Sequence, residues 1–319
     1  MYNQISELKA LIDDKLTPLL LPKCYILDAP FYENVGDVLI YEGEKEFFTR
    51  NNVSVVGVYS YNTFDFNAPI NEDTFIAING GGNYGDLYIE HLDFLIRLLQ
   101  SYPNIRIIVF PQTIYFKNRI KADVIFKELN RYPNLYICAR DARSFQLLSD
   151  NLPDRQIFLL PDMAFYIGSI RALCHSAGNT LFIKRVDAES SSDNSYDERR
   201  FNRISDWPSF QHSLTISSFI AKVLNNLYQK IRFKPLRQLI NRLWNLYFPI
   251  HCKMMIREGI QFISPYSHIH TTRLHGAILA ILLGKEDIVI YDNSYGKNYT
   301  FYQTWLKDFP NVRLLSNHN

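Results

Sequence analysis

The chain has 319 residues, 47% of them hydrophobic and 21% charged, with a formal net charge of +2. That length suits two domains better than one core, and the composition is that of a soluble globular protein. The near-neutral charge excludes bulk attraction to nucleic acid, and no apolar run approaches the roughly 18 residues of a membrane span. Cys24, Cys138, Cys174 and Cys252 are far apart and form no C-x-x-C pair. They read as buried thiols in a reducing compartment, not as a disulfide frame or zinc site.

In chain order, residues 1–23 carry Glu7, Asp13 and Asp14 within an amphipathic helix pattern and lack the basic start and apolar centre of a signal peptide, so a cytoplasmic protein is expected. Cys24–Leu27 reads as a first strand, followed by Asn34-Val35-Gly36-Asp37 and a helix from about Val38 to Arg50. Strands follow at Val53–Tyr59 and Thr74–Ile78, the latter ending in the run Gly80-Gly81-Gly82-Asn83-Tyr84-Gly85-Asp86. A helix from Leu87 to Ser101 is apolar at Leu92, Leu95, Ile96 and Leu99. The strand Ile105–Phe110 is closed by Pro111-Gln112, and Lys121–Arg131 reads as helix. Leu135–Cys138 is a strand ending at Arg140, a helix runs to Ser149, and the strand Gln156–Leu160 ends at Pro161-Asp162. Strands that alternate with helices and read as apolar runs imply a parallel sheet covered on both faces.

The rhythm restarts at Thr180–Ile183, ending at Arg185. The boundary between an N-terminal domain, 1–170, and a C-terminal domain, 171–319, is set near Gly168–Gly178. Residues 187–207 form a polar loop without apolar periodicity, and helices are expected in Ser213–Leu246. A short strand then reaches Thr271-Thr272-Arg273-Leu274-His275-Gly276, and an apolar helix follows to Gly284. Asp287–Tyr291 is a strand ending in Asp292-Asn293-Ser294-Tyr295-Gly296-Lys297, followed by an aromatic-rich helix, Tyr299–Leu306, and a last strand, Val312–Leu315.

Nearly every unusual cluster lies just after a strand, where ligands bind in doubly wound sheets. The fold class is therefore α/β, with two Rossmann-like domains facing a central cleft. Arg273 and His275 stand at a strand-to-helix turn, at the positive end of a helix dipole, which suits an anion such as phosphate. The bland alternative is that Arg273 pairs with an acid and His275 is a buried histidine. Gly276 allows a ligand or a neighbouring strand to approach. Gly80, Gly81, Gly82 and Asn83 match neither the G-x-G-x-x-G fingerprint nor a P-loop. They form either a nest of N–H groups for an anion or sugar oxygen, or a tight turn. Asp37 and Asp86, in twin N-x-G-D motifs, are either helix caps or a general base toward a sugar hydroxyl. Arg140, Arg185, Arg273 and Lys297 together fit a small, multiply charged substrate, although each alone is an ordinary surface charge. His268 and His270 share a strand face with no nearby carboxylate, so no metal site is expected, and His91 reads as structural.

Residues 207–257 contain eight Lys or Arg and no Asp or Glu. This basic helical segment suits either an anionic membrane surface or a solvated face packed by its apolar side.

Taken together, Asn34-x-Gly36-Asp37, Gly80-Gly81-Gly82-Asn83-x-Gly85-Asp86-Leu87, Pro111-Gln112, Arg140, Leu160-Pro161-Asp162, Arg273-Leu274-His275-Gly276 and Asp292-Asn293-Ser294-Tyr295-Gly296-Lys297 resemble the polysaccharide pyruvyl transferase family, in order from about residue 25 to 306. The basic segment lies outside any matching motif. The resemblance implies a GT-B-like fold and transfer of a pyruvyl group from phosphoenolpyruvate, as co-substrate and without a bound cofactor, onto two hydroxyls of a sugar. The product is a cyclic ketal on a bacterial exopolysaccharide or capsule. The resemblance places Arg185, Arg273 and His275 at the donor; Gly276 and Lys297 are expected there too, and the chemistry calls for an acid and a base, for which His275 and Asp37 or Asp86 are expected. Asn34, Gly80, Gly81, Gly82, Asn83, Gln112, Arg140 and Asn293 fall to the acceptor or its loops. The acceptor is a sugar or lipid-linked saccharide, with the enzyme cytoplasmic and peripheral at the inner membrane face. A GT-B glycosyltransferase using a nucleotide sugar is the alternative, although no Glu stands near Arg273 or Asp292 to hold a ribose. A non-enzymatic carbohydrate-binding protein would have no need of both Arg273 and His275.

Overall fold

The computed structural model describes residues 2–86, 88–174, 178–186, 198–208, 216–231, 233–292 and 296–315. Asn293 and the 187–197 part of the polar loop lie outside the described residues. The first half comprises α1 (Tyr2–Leu16), β1 (Lys23–Leu27), α2 (Val35–Arg50), β2 (Ser54–Tyr59), β3 (Thr74–Ile78), β4 (Gly81–Gly85), α3 (Ile89–Ser101), β5 (Ile107–Tyr115), α4 (Arg119–Leu129), β6 (Leu135–Ala139), α5 (Ala142–Ser149) and β7 (Ile157–Leu159). The second comprises β8 (Asn179–Ile183), β9 (Arg203–Ser205), α6 (Ile216–Lys230), α7 (Lys234–Ile263), β10 (Tyr266–Thr271), α8 (Leu274–Leu282), β11 (Asp287–Tyr291), α9 (Lys297–Phe301) and β12 (Val312–Leu315).

Each half contains a parallel sheet. The first runs β2-β1-β3-β5-β6-β7, with β4 also pairing with β5, and the second runs β12-β11-β10-β8-β9. The mixed α/β class with parallel sheets follows from strands that are apolar on both faces. Alternate residues of one strand enter different cores, as the period of two requires. Phe75 and Ala77 of β3, with Ile108 and Phe110 of β5, join a core that also takes in Leu181, Ile183, Ile269 and Ile288 of the second sheet. Ile76 and Ile78, with Ile107 and Val109, join the other, beside Leu95 and Leu98 of α3. The first core is therefore shared by both halves.

Several elements depart from the expected ones. The glycine-rich run does not remain a loop: from Gly81 it forms β4, parallel to β5. β5 continues through Pro111 to Tyr115, past the expected stop, and its pairing with β6 shifts register between Val109 and Gln112. A bulge is one of the few places where a strand accepts a residue that cannot donate to the ladder. α7 likewise passes through Pro249 and ends at Ile263, far beyond Leu246. Phe248, Cys252 and Met255 are buried on either side of that proline, and their packing offsets the lost hydrogen bond. β9 and Asp206 occupy the end of the expected polar loop. Cys174 is exposed, while the other three thiols are buried as expected.

α2 sits close to the centre of the molecule. Asn34 Oδ1 caps it by accepting from Gly36 N at 3.0 Å, and Asp37 lies in its first turn. Beyond that turn, Val38, Leu39, Ile40, Tyr41, Phe47 and Phe48 are all buried. So is Glu44, whose Oε1 accepts from Gly80 N at 2.8 Å, while Oε2 has no hydrogen-bond partner. Burial pushes the Glu44 carboxyl well above the usual range, against the pull of the Gly80 N–H. A carboxyl raised in the folded state costs stability as pH climbs past its unfolded value of about 4.3. Glu44→Gln, neutral at every pH, is therefore expected to gain stability over the wild type progressively from pH 4 to 8. Unfolding midpoints across that range test this. A difference that does not change with pH would mean that Glu44 is ionised when folded.

Candidate active site

The loops after the strands open onto one cavity of about 350 Å³. Residues that follow β1, β4 and β6 line it together with residues that follow β8, β10 and β11. Arg140, Arg185, Arg273, Lys297 and His275 all reach it, as do Asn34, Asp37, Gly82 and Asn83.

Asp162, fully buried after β7, is the node of the site. Its Oδ2 accepts from Arg140 Nη1 at 2.7 Å and lies 3.1 Å from His275 Nε2, while Oδ1 accepts from Ala164 N at 3.0 Å. Burial alone would raise its pKa, but His275 and Arg140 beside it hold the carboxyl far below the usual range. Arg140 is itself wholly buried and donates from Nε to Thr113 Oγ1 at 2.9 Å. Its Nη2 makes no hydrogen bond among the described residues. A methyl group on Gly82 would collide with Arg140 Nη2 and Lys297 Nζ, so the absent Cβ leaves room for both cations at the cavity. His275 is held by Nε2, and its other face lies on α2: a Cβ on Gly36 would stand 2.6 Å from Nδ1.

Arg273 has a second carboxylate partner. Its Nε and Nη2 donate to Asp206 at 2.5 and 2.6 Å, and Asp206 also accepts from the backbone N–H of Trp207 and Val186. The acid-pairing alternative thus holds for Arg273 even though it lines the cavity. Arg273 is also the N-cap residue of α8, and its side chain makes no capping hydrogen bond.

The opposite wall carries Asp37, which accepts from Asn34 Nδ2 at 2.6 Å and Tyr32 Oη at 3.0 Å. Beside it stands a pair that the sequence reading missed. His91 lines the cavity, and its Nδ1 lies 2.7 Å from Asp28 Oδ2, with both residues buried. Asp28 has a φ of 60°, a left-handed backbone that costs a non-glycine residue about 1–3 kcal/mol. The only trace in the sequence was a histidine on a helix, because its partner lies 63 residues away.

Other expected residues stand elsewhere. Asp86 accepts from Lys117 N and Asn118 N and braces the entry to α4, outside the cavity. Gln112 is buried and donates to Asn79 O at 2.8 Å, tying β5 to the end of β3. Gly80 donates to Glu44, and Gly81 pairs with Gln112 in the sheet. Gly276 donates its N–H to Arg273 O inside the helix, and its missing Cβ makes room for Thr271 Oγ1, so a strand and not a ligand approaches it. His270, which burial lowers to about 4, bonds Tyr291 Oη within an aromatic cluster away from the cavity. Asn293 lies outside the described residues.

The polysaccharide pyruvyl transferase family matches residues 34–294, which include the glycine-rich run, Asp162 and the Arg273–Gly276 turn. The chain belongs to this family. As a polysaccharide pyruvyltransferase it is an enzyme of polysaccharide biosynthesis. It is 31% identical over 288 residues to the putative pyruvyl transferase EpsO of Bacillus subtilis, covering 90% of this chain and 87% of that one. It is 24% identical over 301 residues to pyruvyl transferase 1 of Schizosaccharomyces pombe, covering 90% and 70%. A crystal structure of an uncharacterised Klebsiella pneumoniae protein shares the fold, with a TM-score of 0.61, 21% identity and 99% coverage of both chains.

In this pyruvyltransferase, removing the Asp162 charge leaves Arg140 buried without its acid, a loss on the order of 3–5 kcal/mol. The sign follows from the depressed pKa: this stability is present above about pH 4 and is lost as pH falls below it. The stability gap between wild type and Asp162→Asn is expected to narrow as pH falls below about 4. A gap that keeps its pH 5 value down to pH 2 would contradict the assignment.

Proposed function

We propose that this polysaccharide pyruvyltransferase uses phosphoenolpyruvate as donor and closes a cyclic ketal across two hydroxyls of one sugar. The observation that carries this reading is the buried Arg140 Nη2, without a partner among the described residues, at a cavity that also receives Arg185, Lys297 and the clamped Arg273. Phosphoenolpyruvate presents a carboxylate and a phosphate, and guanidinium forks suit both. The N-terminus of α8 adds the positive end of its dipole.

The chemistry begins with a proton delivered to C3 of the enol, which makes C2 an oxocarbenium-like electrophile. One sugar hydroxyl adds to C2 and gives up its proton. The C2–O bond to phosphate then breaks, phosphate leaves, and the second hydroxyl closes the ketal with loss of its own proton. His275 is the acid in this scheme, with Asp162 stabilising its imidazolium. Asp37 is the base. The Asp28–His91 pair is the second candidate, because the carboxylate orients an imidazole that lines the same cavity. No cofactor enters the scheme. Residues 1–170 form the acceptor side of a GT-B-like cleft, apart from Arg140, which joins the donor groups of 171–319, with the enzyme in the cytoplasm and peripheral at the inner membrane face. A nucleotide-sugar donor has no support from the family match.

The decisive assay is phosphate release from phosphoenolpyruvate on addition of candidate saccharide acceptors. His275→Ala is expected to keep most donor binding and lose turnover by about a hundredfold or more. Surviving turnover would remove it as the acid. Arg185→Ala is expected to weaken donor binding at least about tenfold, the worth of one charge-assisted pair. Arg273→Ala would also strand Asp206. Unchanged donor affinity would take Arg185 out of the site. Asp37→Asn and His91→Gln, compared in the same assay, identify the base by the larger loss.

A further inference from the structure

We infer that the outward side of α7 is a docking surface for an anionic bilayer, which deepens the membrane placement proposed above. α7 has two apolar sides. Ile240, Trp244, Phe248, Cys252 and Met255 are buried, and Phe248 packs 5.0 Å from Tyr41 of α2. This side accounts for the helix as part of the fold. The other side carries Leu236, Leu239, Leu243, Leu246, Ile250 and Met254, three or four residues apart and hence on one flank, and each is 41–74% exposed. Six large apolar side chains in a row along one solvent-facing flank form a contiguous patch, unlike the scattered exposure of ordinary surfaces.

Charge selects the occupant. Lys230 at the end of α6 and Arg242 within α7 are exposed, and no Asp or Glu occurs from 207 to 257. Glu42 and Glu46 share a pocket with Lys253 and Arg257, and Asp65 shares one with Arg237. A second copy of the chain docked here about a twofold axis would oppose the same cations to one another. An anionic lipid surface offers negative charge to the cations and an acyl boundary to the leucines. Among the described residues no helix is long and apolar enough to cross a membrane, so the surface lies on the bilayer. Arg237, Gln238 and Asn241 of the same helix wall a second cavity of about 780 Å³, and Tyr61 lines both this cavity and the active-site cavity. Docking through α7 thus sets a saccharide-sized groove beside the bilayer and next to the site, an arrangement that suits a lipid-linked acceptor.

The test is co-sedimentation of the full chain with phosphatidylcholine vesicles, with and without phosphatidylglycerol, alongside its solution mass by light scattering. The wild type is expected to be monomeric and to sediment with the anionic vesicles, less so at high salt. Leu239→Gln/Leu243→Gln/Leu246→Gln removes exposed side chains, and Lys230→Gln/Arg242→Gln removes two charges. Each variant is expected to keep its circular dichroism and to lose binding by about tenfold or more. Binding that ignores phosphatidylglycerol or either variant overturns the inference. So does a wild-type dimer that the leucine variant splits, which would assign the flank to a second copy. These readouts require no turnover, so a wrong donor or acceptor would leave them unchanged.

Discussion

The geometry of the active site depends on one buried carboxylate. Asp162 receives Arg140, which follows β6 of the first sheet, and His275, which follows β10 of the second and lies 113 residues further along the chain. Out of water such contacts are strong when satisfied and costly when broken, so the carboxylate fixes two side chains from different sheets in one arrangement. His275 then rests on Gly36, and this draws the first turn of α2, with Asp37 in it, to the same cavity.

Four cations around one small cavity would repel each other, and the structure meets that problem with acids set behind them. Asp162 stands behind Arg140, and Asp206 stands behind Arg273. A guanidinium bonded to a carboxylate keeps its charge and loses its rotamer freedom, so each cation faces the cavity already oriented. The field seen by an anion is then less positive than a tally of arginines implies, but it is preorganised. Preorganisation is what stabilises charge at a reacting centre. Among the described residues, the Nη2 of Arg140 has no acceptor within the protein.

The strands, their order along the chain and the residues at their ends were legible because a parallel sheet writes itself as short apolar runs with chemistry just after each. Arg140, Arg185, Arg273, His275 and Lys297 were all found that way, and all five reach one cavity. The residues that hold them were not. Asp206 follows a three-residue edge strand inside a polar segment, where no periodicity marks it. Asp28 and His91 pair across 63 residues, which a single sequence cannot reveal. The opposite error arose within the motifs. Gly80, Gln112 and Asp86 belong to the family pattern, yet they serve the backbone: one meets Glu44, one bonds Asn79 O, one caps the turn into α4. A motif records every residue needed to build a site, and those that touch substrate are only part of it.

The basic segment illustrates the same limit at the scale of a helix. Its two readings, a face packed by apolar residues and a face turned to a membrane, looked like alternatives because one helix was assumed to have one apolar side. α7 has two, set apart around its axis, and apolar residues on both flanks cancel much of the periodic signal that a single stripe would give. A helix that only completed a core would place polar residues on its second flank at no cost to packing. Leucines kept there, beside cations, are a feature that packing of the core does not explain.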